Sequence, residues 1–170
     1  KQYNKLKGAH QHLTVLITQN EMQLDYLNSV LNEIDLCESE KDISDIRAEL
    51  VNTGYLKNVR GDRKSRAKPQ LPNRYLSDDG YEILVGKNNT QNDELTFKTA
   101  RRTDYWLHVQ RVHGSHVIIR CDGTEPPERT IEQAAELAAF YSQNREAGKT
   151  AVDYTMIRNV RKPAGALPGK

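Results

Sequence analysis

Residues 86–120 read GKNNTQNDELTFKTARRTDYWLHVQRVHGSHVIIR, and this stretch decides the fold. Two short apolar runs, 105–109 and 116–120, flank a loop that contains Gly114, a pattern that predicts a β-hairpin. Before the hairpin, a segment rich in Asn and Gln leads into a predicted short helix over 95–100. The stretch therefore predicts an α+β arrangement.

Outward from this stretch, two more strands and one long helix are predicted. A turn at Asp78-Asp79-Gly80 precedes a strand over 81–85, and another strand is predicted over 151–157. Thr130-Ile131-Glu132-Gln133 has the pattern of a capping box, which predicts a helix that begins there and ends at Gly148. We expect a mixed or antiparallel β-sheet domain with packed helices over residues 78–170.

The beginning of the chain is predicted to be a coiled-coil arm. A helix over about residues 3–36 would be roughly 50 Å long, and it would expose an apolar stripe unless a partner helix covered it. We expect a second copy of the arm to do so; the alternative is an amphipathic helix packed on its own domain. The stripe has spacings of four and three and one polar interruption: Leu13, Ile17, Asn20, Leu24, Leu27, Leu31 and Ile34.

A short return helix and a basic linker follow the arm. Ser39-Glu40-Lys41-Asp42 resembles a capping box and Gly54 is a C-terminal stop signal, so residues 1–54 form the arm with its return helix. Residues 55–77 are predicted to be a linker, since basic side chains dominate and Pro69 and Pro72 interrupt any helix. A basic flexible segment can become ordered along a phosphate backbone.

Composition divides the chain in the same way. The net charge of +2 combines −4 for residues 1–54 with +6 for residues 55–170, which indicates two surfaces with different partners. Cys37 and Cys121 form no CxxC pair, so we expect a reduced, cytoplasmic protein without disulfides. No apolar run approaches the roughly 20 residues of a membrane span. Because the chain begins at Lys1 without Met, we expect it to be part of a longer protein.

Strand geometry groups a set of aromatic and charged side chains. Alternate residues of a strand share a face, so Trp106 and His108 point the same way, and the hairpin places His116 and Arg120 beside them, with Asp104 at the end. Aromatic and imidazole rings beside arginine suit single-stranded RNA. The alternative is that Trp106 belongs to the core and the histidines make structural hydrogen bonds.

Other chemistries are disfavoured. His108, His113 and His116 lie within nine residues, but nothing in the sequence completes a convincing zinc site, so we expect neither a metal nor a cofactor. Gly86-Lys87 lacks the remainder of a Walker A loop, and the adjacent pair Ser115-His116 is poorly placed for nucleophile activation. We therefore expect a protein that is not an enzyme. Turn geometry and helix capping are the expected roles of the asparagines after Lys87.

Three stretches resemble the NFACT-R domain, in the order in which that domain has them. They are residues 86–120, EQAAELAAFYSQNR at 132–145 and VDYTMIRNVRKPAGALPGK at 152–170. The resemblance covers residues 78–170, and the arm resembles the family's middle coiled coil. Because the family's last strand normally continues beyond Pro168-Gly169, we expect a C-terminally truncated domain.

The resemblance implies the RNA-binding module of a bacterial ribosome quality control factor. Such proteins bind stalled large ribosomal subunits, through rRNA, and tRNA, for which we expect alanyl-tRNA, and they support C-terminal alanine tailing. Relatives named fibronectin-binding protein A-like imply an alternative. In that alternative the chain is an adhesion module that binds fibronectin or a related host extracellular-matrix protein, with a secondary location on the surface of a Gram-positive bacterium.

The candidate RNA-binding residues combine the strand geometry with the resemblance. On replacement we expect a clearer loss of binding at His116 than at His108, where the result should be mixed. The full set is Asn88, Asn89, Asn92, Arg101, Arg102, Asp104, Trp106, His108, Arg111, Gly114, Ser115, His116 and Arg120.

Overall fold

The computed structural model describes residues 2–57 and 70–169, and within them the α+β fold is confirmed. Most of the basic linker lies outside the described residues. The elements, in chain order, are α1 (Gln2–Asp35), α2 (Glu40–Asn52), β1 (Asn73–Leu76), β2 (Glu82–Val85), α3 (Asn89–Glu94), a π-helical turn (Leu95–Thr99), β3 (Tyr105–Val109), β4 (Val117–Ile119), α4 (Glu128–Phe140), β5 (Val152–Met156) and a 3-10 turn (Ile157–Asn159).

The described strands form one antiparallel sheet in the order β1-β2-β4-β3-β5. Its centre is the predicted hairpin, and the predicted register is confirmed because Trp106 lies opposite Ile118. The linker predicted over residues 55–77 ends earlier than expected, because Asn73–Leu76 within it form the edge strand β1. This strand has only four residues and follows Pro72, so it is too short to show a strand pattern in the sequence. It forms because it pairs with β2.

One face of the sheet forms the main core with α4. Leu107, Val117 and Ile119 are fully buried there against Ala134 and Ala138 of the helix. The two alanines lack bulky side chains, so the helix lies close to the sheet and leaves the opposite face for other contacts.

The predicted bounds of α4 were wrong at both ends. The helix begins at Glu128, immediately after Pro127, and ends at Phe140 rather than at Gly148. Thr130 is buried in the first turn, where its hydroxyl contacts Ser77 Oγ at 2.9 Å and donates to Asp79 Oδ2 at 2.8 Å. The hydroxyl thus holds the β1–β2 turn and does not cap the helix.

The arm and its return helix are confirmed as helices. Ser39 caps α2, because its Oγ accepts a hydrogen bond from the Asp42 backbone amide at 3.2 Å. At the end of the arm, Tyr26 and Val30 of α1 pack with Ile46 of α2 in a buried cluster, which Leu167 of the C-terminal tail also contacts. The arm is therefore docked at one end on the domain.

The rest of α1 exposes most of the predicted apolar stripe. Leu27 packs partly into the buried cluster at the docked end, whereas other stripe residues are exposed: Leu13, Ile17, Leu24, Leu31 and Ile34. The stripe thus faces largely away from the domain, the orientation that a coiled-coil partner requires. None of the described helices combines the length and the apolar character needed to cross a membrane.

Candidate nucleic-acid interface

Three aromatic rings meet on the sheet face opposite α4. The Trp106 and His108 rings stack, with centroids 5.7 Å apart and an interplanar angle of 16°. The His116 ring meets both edge-on, at 5.3 Å from Trp106 and 5.5 Å from His108. The shared face predicted for these side chains is therefore confirmed, and we call the three residues the ring cluster.

The rings differ in depth. His116 is only 7% exposed and its Nδ1 lies 2.7 Å from the Thr96 hydroxyl, whereas Trp106 and His108 are half-buried. Trp106 also packs against a small core that includes Leu95 and Ile118. Trp106 is thus partly a core residue, and the other side of its indole remains accessible.

Burial determines the charge of His116. Desolvation, followed by the nearby His108, lowers the pKa of His116 to about 3. The imidazole is therefore neutral at physiological pH, so His116 can present an aromatic surface but no positive charge to a phosphate.

A π-helical turn holds His116 in this position. The turn closes through the Ala100 amide, which donates to the Leu95 carbonyl at 2.8 Å. Leu95 and Thr96 are almost completely buried, at 2% and 1% exposed. Single π-helical turns often occur at functional sites, and this one sets the Thr96 hydroxyl against the imidazole.

At the end of the ring cluster, Asp104 organises the arginines. Its buried carboxylate accepts hydrogen bonds from the Arg101 amide at 2.8 Å and from Arg120 Nη1 at 2.9 Å. Arg120 is half-buried and also donates to the Thr99 carbonyl, so its orientation is constrained. Asp104 therefore positions basic groups and is itself too deep to contact a ligand.

The three candidate asparagines are buried and build the site from beneath. Asn88 caps α3, as expected, since its Oδ1 accepts from the Gln91 amide at 2.8 Å. Asn92 Oδ1 accepts from the His116 amide at 3.0 Å, and Asn89 Nδ2 donates to Ser29 Oγ of the arm at 2.9 Å. Their side chains are thus occupied by contacts within the protein.

Gly114 and Ser115 lie on the α4 side of the sheet, away from the ring cluster. Gly114 forms an isolated antiparallel bridge with Ser142, and a Cβ added to it would lie 2.9 Å from both Ser142 Cβ and Val109 Cγ2. Ser115 is buried and its amide donates to the Tyr141 carbonyl at 2.9 Å. Both residues close the packing around the end of α4.

The remaining candidates are exposed cations. Arg101 forms an ion pair with the exposed Asp122 at 3.2 Å, and such pairs contribute little stability, so a phosphate can displace the carboxylate. Arg102 is exposed beside it. Arg111 is exposed in the hairpin loop and has a φ of 61°, a left-handed conformation that non-glycine residues rarely adopt.

Sequence reasoning missed three residues of this face. Thr96 contacts His116 as described, and strand β5 adds Thr155 opposite Trp106 and Asp153 opposite His108. The strand itself was predicted, but nothing local in its sequence says which neighbour it joins. Among residues 2–57 and 70–169 no group of three metal-ligating side chains converges, and His113 instead lies 3.1 Å from Asp25 of the arm.

The antiparallel sheet with its half-exposed ring cluster and nearby arginines has the chemical groups that single-stranded RNA binds. Residues 72–168 match the family model described as NFACT protein RNA binding domain, and residues 1–69 match NFACT N-terminal and middle domains. The chain belongs to the NFACT family. The domain match includes β1, in agreement with the corrected boundary.

Known relatives extend well beyond this chain. It is 45% identical over 173 residues to the Rqc2 homolog RqcH of Streptococcus suis (strain 05ZYH33), covering 99% of this chain and 30% of the relative. It is 40% identical over 169 residues to RqcH of Bacillus subtilis (strain 168), covering 98% and 29%. The chain thus spans about three-tenths of these curated relatives.

A solved structure shares the fold over the whole chain. It is described as the C-terminal of the fibronectin/fibrinogen-binding protein from Streptococcus suis. The TM-score is 0.93 at 43% identity, and the match covers 100% of this chain and 67% of that one.

Proposed function

We propose that the chain is the RNA-binding module of a cytoplasmic ribosome quality control factor. It would bind tRNA, with alanyl-tRNA as the expected species, and the rRNA of stalled large ribosomal subunits, and so support C-terminal alanine tailing. The observation that carries the proposal is the match of residues 72–168 to an RNA-binding domain model. The 40–45% identity to RqcH proteins supports the quality control role.

The geometry of the interface suits different residues to different parts of an RNA. Trp106 and His108 offer a half-exposed stacked surface for unpaired bases, while His116 supports it from below as a neutral ring. The bordering cations are suited to phosphates: Arg101, Arg102, Arg111 and Arg120. Base stacking tolerates many sequences, so this arrangement favours recognition of single-stranded or looped RNA over a defined base sequence.

We infer that the module catalyses no reaction. His116 is bound through Nδ1 to Thr96 and its pKa is about 3, which makes it a poor base near neutral pH. Peptide-bond formation would belong to the ribosome and the charged tRNA, and the module would hold the RNA in place.

RNA titrations at several salt concentrations test the proposal. Anisotropy with labelled tRNA and with isolated large subunits should give an affinity that falls steeply with salt, because phosphate contacts release counterions. Arg102→Gln should lower the salt slope by about one unit without changing sequence preference. Arg145→Gln is the matched control, since Arg145 is exposed but lies over Phe140, on the α4 side. The proposed interface would be excluded if both variants changed RNA affinity equally, or if the affinity did not depend on salt concentration.

A second candidate function is adhesion to a host matrix protein. The observation that favours it is the structural match to a protein described as fibronectin/fibrinogen-binding. In that case the chain would bind immobilised fibronectin with little dependence on salt, and a surface location in a Gram-positive bacterium would follow. Arg102→Gln and Trp106→Ala should then leave fibronectin binding unchanged, which separates the two functions in one set of proteins.

A further inference from the structure

The joint between the arm and the domain is centred on a buried carboxylate. Glu49 of α2 is 3% exposed, and its Oε1 accepts from the Tyr26 hydroxyl of α1 at 2.8 Å. Its Oε2 accepts from both the amide and the hydroxyl of Thr90, at 2.9 and 2.8 Å. Glu49 thus connects the arm with the first turn of α3.

A second carboxyl group, Glu33 of α1, is buried beside Glu49 without comparable contacts. It is 6% exposed, and neither of its oxygens makes a well-formed hydrogen bond with any residue of 2–57 or 70–169. Burial, and then the neighbouring Glu49, raise the pKa of Glu33 well above its ordinary value, although the Asn89 amide opposes part of this effect. A buried charge without a partner is strongly unfavourable, so the neutral acid is the form that suits this position.

We propose that Glu33 is a proton-dependent latch that holds the end of the arm against the first turn of α3. With Glu33 protonated, the two helices pack against residues 87–93 without a second buried charge beside Glu49. Ionisation places two carboxylates together in a buried joint and loosens the docked arm. The latch does not depend on the proposed RNA-binding function.

Among residues 2–57 and 70–169, the other ionisable groups around the joint form no hydrogen bond with the carboxyl oxygens of Glu33. On α1 the neighbours are Tyr26 and Cys37, whose pKa values burial also raises. On α2, Asp42 lies 3.5 Å from Lys87, the basic residue that precedes α3. Further around, the C-terminal tail pairs Lys162 with Asp93, and the hairpin loop pairs His113 with Asp25.

The sign of the pH dependence follows from the direction of the shift. In the docked state the pKa of Glu33 is raised, whereas in an undocked arm it returns to about 4.3. Docking is therefore strongest below that ordinary value and weakens as pH rises towards the docked pKa. Each unit of separation between the two pKa values changes the docking equilibrium by about tenfold.

Helix α3 connects the joint with the ring cluster. Thr90, which Glu49 holds, and Asn92, which holds the His116 amide, belong to the same short helix. Loosening of the joint therefore acts on the element that supports His116.

Amide hydrogen exchange at Thr90, followed by NMR on the whole chain from pH 5 to 9, tests the latch. After correction for intrinsic exchange, protection of the Thr90 amide should fall about tenfold or more as pH rises. In Glu33→Gln, protection of the Thr90 amide should not vary with pH. At high pH it should exceed the protection measured in the wild type. Glu40→Gln, an exposed change at the start of α2, should keep the wild-type profile. A flat wild-type profile, or identical profiles for wild type and Glu33→Gln, would overturn the proposal.

A carboxyl ¹³C titration of Glu33 in the wild-type chain provides a second measurement that requires no variant. We expect a midpoint well above the ordinary value for a glutamate of about 4.3. A midpoint at that ordinary value would overturn the latch even if Glu33→Gln fails to fold.

Discussion

Replacing Trp106 with Ala separates the structural contribution of its indole from the binding contribution. Complete burial of such a side chain is worth about 3–5 kcal/mol. Trp106 is half-buried against the Leu95 and Ile118 core, so we expect about 2 kcal/mol of destabilisation. For a chain of this length that corresponds to a fall in melting temperature of about 4–8 °C.

The accessible side of the indole predicts a separate loss of RNA affinity. Stacking of one base on an aromatic side chain is worth about 1–3 kcal/mol, which corresponds to about 5- to 150-fold in dissociation constant. This loss should persist at temperatures well below the melting transition, where the variant is folded. The weakened binding should retain its salt slope, because the phosphate contacts are unchanged.

Leu95→Ala is the matched control. Leu95 belongs to the same small core but is only 2% exposed, so it cannot contact RNA. Its replacement should cost about 2–5 kcal/mol of stability and weaken RNA binding less than Trp106→Ala does, because the indole is retained. Thermal unfolding and fluorescence anisotropy should be measured on both variants and on Trp106→Phe, which keeps an aromatic face.

The result that would refute this reasoning is equivalence of the two variants. If Trp106→Ala lowers the melting temperature as Leu95→Ala does and binds RNA like the wild type, the indole is purely a core residue. The stacking surface would then have to be sought elsewhere on the domain.

Three further predictions follow from particular contacts. Because the pKa of His116 is about 3, this residue gains no charge between pH 8 and 5, so His116→Gln and wild type should show the same pH dependence of RNA affinity over that range. Gly86→Ala places a methyl group against Asn92 Oδ1, well inside van der Waals contact, and should cost about 1–3 kcal/mol in urea unfolding. Gly148→Ala, in open space, should change stability little. Ile17→Lys, in the exposed stripe of the arm, should convert a self-associating chain to a monomer in sedimentation, and an unchanged sedimentation coefficient would exclude pairing through that stripe.

Local patterns in the sequence determined a large part of the site. Strand alternation was enough to place Trp106 and His108 on one face, and the short hairpin connection set Trp106 opposite Ile118. The spacing of apolar residues determined the arm helix, and Ser39 and Asn88 marked the starts of α2 and α3. These features involve residues close together in the chain, where backbone geometry leaves few alternatives.

Only the tertiary structure determined how deeply each side chain is buried and which residues it contacts. The sequence predicts a clearer role in binding for His116 than for His108, and the packing of the π-helical turn leaves His116 beneath the more accessible His108. Asn89 was predicted to contact RNA, but it bonds to Ser29, sixty positions earlier in the chain. Strand β1 forms because it pairs with the edge of β2. Thr130 contacts Ser77, in a turn that lies far from it in the sequence. Periodicity specifies which face a side chain occupies, whereas the burial of that face depends on distant segments that pack against it.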